Sequence, residues 1–206
     1  MPDHIEPLCI ADLYPLSRPQ SFPETVKCLR VKNQKSIGKF VDTTRKAADG
    51  LFDAGNLWFR GLSLNALTLS MSFFIPVIST NMDNEFGPGI YASNRFEEVV
   101  RYAKPNGAVM VFRDPDLRDL TVWRPDVDEW NSLTANWLQL PRDNSKMPAT
   151  YKSADIIIGP TSSNQRNARK KRCWLNQGTG LQMAAVSHEG CKCLAAALEA
   201  IIYITS

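Results

Sequence analysis

Three short stretches carry the side chains best suited to chemistry. Trp58-Phe59-Arg60-Gly61-Leu62-Ser63 combines aromatic residues with an arginine, a glycine and a hydroxyl. An arginine presents a planar fork of donors suited to a phosphate or a ribose, and a glycine lets backbone approach a ligand closely. Glu85-Phe86-Gly87-Pro88-Gly89-Ile90-Tyr91 sets a glycine-bracketed proline before a tyrosine. Tyr91 offers a flat apolar face on which a ring can stack. Near the other end, Gly178 to Gln182 closes on an amide side chain. Each stretch also has an ordinary reading. Arg60 can sit in a surface ion pair, Gly87-Pro88-Gly89 can be a turn, Tyr91 can pack in a core, and Gln182 can lie on a solvated strand edge.

Other clusters point away from chemistry. The cysteines are Cys9, Cys28, Cys173, Cys191 and Cys193, an odd number whose spacing fits no disulfide framework. With only His4 and His188 as histidines, no metal site is expected. The thiols read as small apolar residues in a reducing compartment. Ser187 and His188 are neighbours in sequence, which does not make a nucleophile pair. Arg166, Arg169, Lys170, Lys171 and Arg172 form a basic run, read as a solvated loop or as a localisation or phosphate-binding patch. Trp123, Trp130 and Trp137 recur every seven residues and read as one helix face turned to a core.

The elements that must position these residues are mixed in kind. Prolines at 2, 7, 15, 19 and 23 make residues 1–35 an irregular arm, with a short strand around Val26 to Val31. Residues 36–206 form the domain. Residues 40–53 suit a helix, Leu57 to Arg60 a strand. Ser63 can cap a helix in which Leu64, Leu67 and Met71 share a face, although strand remains open there. Asn94 with Glu97, and Asp126 with Glu129, have capping-box spacing. Gly107 to Phe112 and Ala154 to Ile158 are apolar strands, and residues 141–150 a polar loop. Asn176 to Gly180 reads as a glycine-broken loop before a short strand at Gln182 to Val186. Ser187 caps a helix through Ala197, and Ala200 to Ile204 closes as a strand. Irregular mixing of helix and strand favours α+β over a doubly wound sheet.

The order of the three stretches resembles the ADP-ribosyltransferase superfamily. Its first motif is an aromatic followed by His or Arg and Gly. One branch has an FGxGIY-like second motif, matched by Phe86-Gly87-Pro88-Gly89-Ile90-Tyr91. The third is a Glu, sometimes a Gln, at a late strand. Asp155-Ile156-Ile157-Ile158-Gly159-Pro160 followed by Gln182 is also similar to a poorly characterised branch. The resemblance spans about residues 55–205. It implies an α+β fold of two small packed antiparallel sheets with flanking helices, and NAD+ as substrate with no metal. Arg60, in place of the histidine of the polymerase-like branch, would anchor a ribose or phosphate. Gly61 would approach the carboxamide, with Ser63 and Gly89 lining the cofactor site. Tyr91 would stack on nicotinamide. Gln182 would touch the ribose hydroxyl beside the scissile bond, making Gln182 and Arg60 the catalytic pair. A family carboxylate at the third motif is absent; Glu85 and Glu189 are the nearest acids, and neither falls where the pattern places one.

The implied activity is cleavage of the nicotinamide–ribose bond and transfer of ADP-ribose to a protein, a nucleic acid or water. Such cleavage passes through an oxocarbenium-like state that a site must stabilise electrostatically. A neutral Gln182 offers only a dipole. The competing readings are a catalytically degenerate module that binds NAD+, ADP-ribose or a protein, and a nucleic-acid-binding module using residues 166–172. Composition accommodates all three. The 206 residues are 44% hydrophobic and 22% charged, an ordinary globular mix, and a net charge of +3 does not by itself imply nucleic acid. Asp3, Glu6 and Asp12 with early prolines do not read as a signal peptide, and no apolar run approaches the ~20 residues of a membrane span. A cytoplasmic or nuclear location is expected.

Overall fold

The computed structural model describes residues 6–10, 21–53, 55–78, 84–103, 105–140, 146–171 and 175–206. Residues 1–5 and 11–20 of the proline-rich arm, residues 141–145 of the polar loop, Arg172 and Cys173 lie outside the described residues. The strands are β1 (Glu6–Cys9), β2 (Thr25–Lys32), β3 (Leu57–Ser63), β4 (Ile90–Ser93), β5 (Gly107–Arg113), β6 (Val122–Trp123), β7 (Ile156–Ser162), β8 (Gln177–Ala185) and β9 (Leu198–Thr205). The helices are α1 (Ile37–Ala47), α2 (Leu64–Ser72), α3 (Phe96–Ala103), α4 (Val127–Trp137), α5 (Gln165–Lys171) and α6 (His188–Ala196). A short 3-10 helix covers Ala149–Ser153.

The fold is α+β, as expected, but the strands do not form two small antiparallel sheets. They pair in one mixed sheet in the order β1-β2-β9-β5-β3-β4-β8-β7-β6. Parallel pairing of β2 with β9, and of β6 with β7, breaks the antiparallel pattern. A parallel pair needs a long crossover, so its partners lie far apart in sequence.

The chain divides into two compact units: residues 1–74, 92–116 and 192–206, and residues 75–91 and 117–191. In the first unit β9 pairs with β2 on one side and β5 on the other, and β5 continues to β3. Its core joins Leu29, Phe40, Phe59, Phe96, Val109 and Ile202, among others. Side chains alternate along a strand. Phe59 therefore packs on Phe96 of α3, while Arg60 points to the opposite face and is buried. Gly61 shares the face of Phe59, and a Cβ there would overlap the Val99 carbonyl of α3.

In the second unit β7 and β8 form an antiparallel ladder, with Gly159 opposite Gln182 and a register shift between Pro160 and Ser162. Its core gathers Phe86, Tyr91, Trp130, Leu133, Ile157 and Ala184. The Asp126–Glu129 capping box forms and starts α4. Trp130 and Trp137 lie on α4, but Trp123 lies on β6, where its indole donates to Glu129. The heptad spacing therefore does not mark a single helix face. The glycine-broken loop at Asn176 to Gly180 is strand as well: β8 begins at Gln177. Among the described residues no helix is long and apolar enough to cross a membrane.

Candidate functional site

Glu85 is the centre of the most distinctive polar cluster in the second unit. It is only 3% exposed, in a loop flanked by core aromatics. The loop is shaped locally. Gly87 takes φ +87°, a left-handed conformation costly for residues with a side chain, and a Cβ there would collide with Trp137 and Tyr151. Gly87 N donates to Asn84 O at 3.1 Å and Gly89 N to Val77 O at 2.9 Å. Tyr91 closes the loop from below: its hydroxyl accepts from Phe86 N at 2.9 Å and donates to Gly87 O at 2.6 Å.

Every group around the Glu85 carboxylate that is hydrogen-bonded to it is neutral. Ser162 N donates to both oxygens, at 3.3 and 3.2 Å, and Ser162 Oγ donates to Oε1. Gln165 Nε2 donates to Oε1 and Gln182 Nε2 to Oε2. Ser162 follows a register shift in the β7–β8 ladder after Pro160. Gln165 opens α5, and Gln182 comes from β8. Burial pushes the Glu85 carboxyl above its ordinary range, against the opposing pull of the Ser162, Gln165 and Gln182 hydrogen bonds. Desolvation of a charge without a countercharge outweighs neutral donors here.

Gln182 is 8% exposed. Its Nε2 faces Glu85 Oε2 and, at 3.4 Å, the Pro160 carbonyl, which also accepts from Trp130 Nε1 at 2.9 Å. Both of these partners are acceptors when Glu85 is ionised, so they fix which end of the amide is nitrogen. Among the described residues, nothing donates to Gln182 Oε1. The arrangement thus combines a buried acid with an amide whose acceptor end is not consumed by any described residue.

The other expected site residues divide between the units. Gly89, Tyr91 and Gln182 belong to the second; Arg60, Gly61 and Ser63 to the first. Tyr91 is 6% exposed, packs near Phe86 and uses its hydroxyl within its own loop. The part-exposed ring expected for a stacking platform is thus buried here. Gly89 lets the loop approach β8: a Cβ would stand 3.0 Å from Ala185 O. Gly61 answers an analogous need against α3. Ser63 caps α2, accepting from Ala66 N at 3.3 Å. Of the basic run, Arg166 and Lys170 are exposed on α5, a helix rather than a loop.

Ser162 and Gln165 escaped the sequence reading. No local pattern marks a serine and a glutamine as ligands of a carboxylate some eighty positions away. Glu85 was visible as an acid beside the second motif, but nothing local placed it against Gln182. Among the described residues no group of three or more His, Cys, Asp or Glu is placed to hold a metal ion. No protein-family model and no curated protein matches the chain.

Proposed function

We propose that the chain is an ADP-ribosyltransferase-like protein that binds NAD+ and cleaves its nicotinamide–ribose bond. The observation that carries this reading is the Glu85–Gln182 pair. Gln182, at the third-motif position, is held by a carboxylate contributed from beside the second motif. Two of the three motifs that carry the resemblance therefore contribute to one cluster. In the cleavage, the electron pair of the glycosidic bond passes to the nicotinamide nitrogen. The ribose carbon left behind carries developing positive charge until an acceptor attacks and loses its proton. Gln182 Oε1 is a dipole end of the right sign to face that charge. Arg60 is proposed as the anchor of a ribose or phosphate, and the acceptor as a protein, a nucleic acid or water.

One observation favours a second reading, a module that binds NAD+ or ADP-ribose, or a protein partner, without turnover. Glu85 is sealed by its donors, and Tyr91 is committed to its own loop. The deciding experiment is calorimetric titration with NAD+ alongside nicotinamide release, with and without cell extract. Binding with release supports the enzyme. Binding without release supports the module. Absence of both removes NAD+ from the function and leaves the exposed basic residues of α5 to be tried against nucleic acid at varied salt.

A further inference from the structure

We infer that Glu85 is a positioning residue for Gln182: its carboxylate captures the amide nitrogen and so fixes the side chain as a hydrogen-bond acceptor. The inference rests on the proposed reading for its functional meaning, although the orientation itself follows from the cluster alone. A primary amide has two faces of opposite polarity and nearly the same shape. Left in a neutral pocket, it turns either end to a ligand. Here Glu85 Oε2 and the Pro160 carbonyl both demand the nitrogen. Turning the amide over would set its oxygen against two acceptors in a buried site, where an unmade hydrogen bond is costly. Glu85 in turn cannot easily swing away, because Ser162 N, Ser162 Oγ and Gln165 Nε2 hold it from the other side.

The consequence is an electrostatic relay in miniature. When Glu85 is ionised its formal charge stays buried, while the negative end of the Gln182 dipole is what a ligand hydroxyl meets. A charge behind the amide also polarises it, strengthening Oε1 as an acceptor. The neutral residue at the third motif then does part of the work of a carboxylate. The same geometry explains what the obvious repair would do. Gln182→Glu would set a second carboxylate against Glu85, and two such groups at hydrogen-bond distance cannot both ionise without penalty.

The test is an exchange cycle in the full chain: Glu85→Gln, Gln182→Glu, and both together. Stability is read by denaturant melts at pH 8 and pH 5, and NAD+ by affinity and nicotinamide release. Gln182→Glu is expected to be destabilised at pH 8 and to recover at pH 5, where the two carboxylates share a proton. The double exchange is expected to regain most of that loss at pH 8, since an amide at 85 again faces a carboxylate at 182. Glu85→Gln is expected to lower kcat about tenfold with the KM for NAD+ within about twofold, a split that general loss of structure does not produce. Gln182→Glu as stable as wild type at pH 8, or a double exchange no better than Gln182→Glu alone, overturns the pairing. Unchanged kcat in Glu85→Gln, with NAD+ binding intact, overturns the positioning role. A wild-type protein that ignores NAD+ defeats the proposed function instead, and the stability cycle still decides how Gln182 is oriented.

Discussion

Two carboxylates, one in each unit, meet the same physical problem in opposite ways. Glu199 on β9 is half-buried beside Lys27, at 2.7 Å, and Arg113, whose guanidinium also donates to Leu51 O at 2.7 Å. Burial alone would raise its pKa, but the hydrogen bonds and charges of Lys27 and Arg113 together pull it below the ordinary range. Glu85 has more donors and, among the described residues, no cation bonded to it, and burial wins. The two outcomes follow depth and partner together: Glu85 is 3% exposed with neutral donors, whereas the Glu199 side chain is 19% exposed and its donors are themselves cations. A carboxylate secured by cations is suited to holding strands together. One held by neutral dipoles in a dry pocket is pushed toward its protonated form.

The contrast is broken most severely by Glu85→Ala. It leaves the Ser162 amide and the Gln165 and Gln182 side chains without their acceptor, at an expected cost of about 3 kcal/mol in a denaturant melt. Glu85→Gln keeps an acceptor and lets the neighbouring amides turn, so its expected cost is about 1 kcal/mol or less at neutral pH. Equal losses in the two variants would mean that volume, not polarity, sets the requirement.

A sharper view comes from pH. Glu199 has a lowered folded pKa, so its contribution is present above the unfolded value of 4.5 and disappears as pH falls through the folded value. Glu85 has a raised folded pKa. The unfolded chain ionises first, so stability declines as pH rises from 4.5 to the folded value and is level beyond it. Glu199→Gln should flatten the acid side of the stability profile and cost about 1 kcal/mol at pH 7, modest because Lys27 is half exposed. Glu85→Gln should flatten the side above 4.5. If both variants flatten the same side, the electrostatic distinction between the units is wrong.

An effect of similar size is expected at Tyr91. Tyr91→Phe keeps the buried ring and removes only the oxygen that joins Phe86 N to Gly87 O. A loss of about 1 kcal/mol is expected by thermal or denaturant melt, with NAD+ affinity nearly unchanged if the ring does not stack on nicotinamide. A large drop in affinity with little change in stability would return Tyr91 to the role that the family resemblance gives it.

How much of this was legible in the sequence depended on distance along the chain. The Asp126–Glu129 box, the Ser63 cap and the Ser187 cap were readable because each is a contact within three residues. Apolar runs in β5, β7 and β9 were readable because burial on both faces leaves a continuous hydrophobic string. The glycines of β8 misled. Gly178 lies in a strand because a neighbouring backbone passes close, with a Cβ there only 2.9 Å from Thr161 O. A glycine that breaks a strand and one that admits a neighbour look alike in sequence. The site was half legible: Gln182 and the acid-bearing loop were visible, but the contact joining them spans 97 positions and has no local trace.

The place of β9 has a consequence for the order in which the protein is made. It is the strand between β2 and β5, yet it is translated after every element it touches. The second unit, residues 75–91 and 117–191, precedes β9 entirely in the chain. Until β9 is added the first unit holds β2 and β5 with facing edges and no strand between them. β5 is apolar on both faces and β2 on one, and both edges are open to pairing with another chain. β9 therefore acts as the keystone of the first unit, and the exposure of β2 and β5 to misassembly lasts until it emerges.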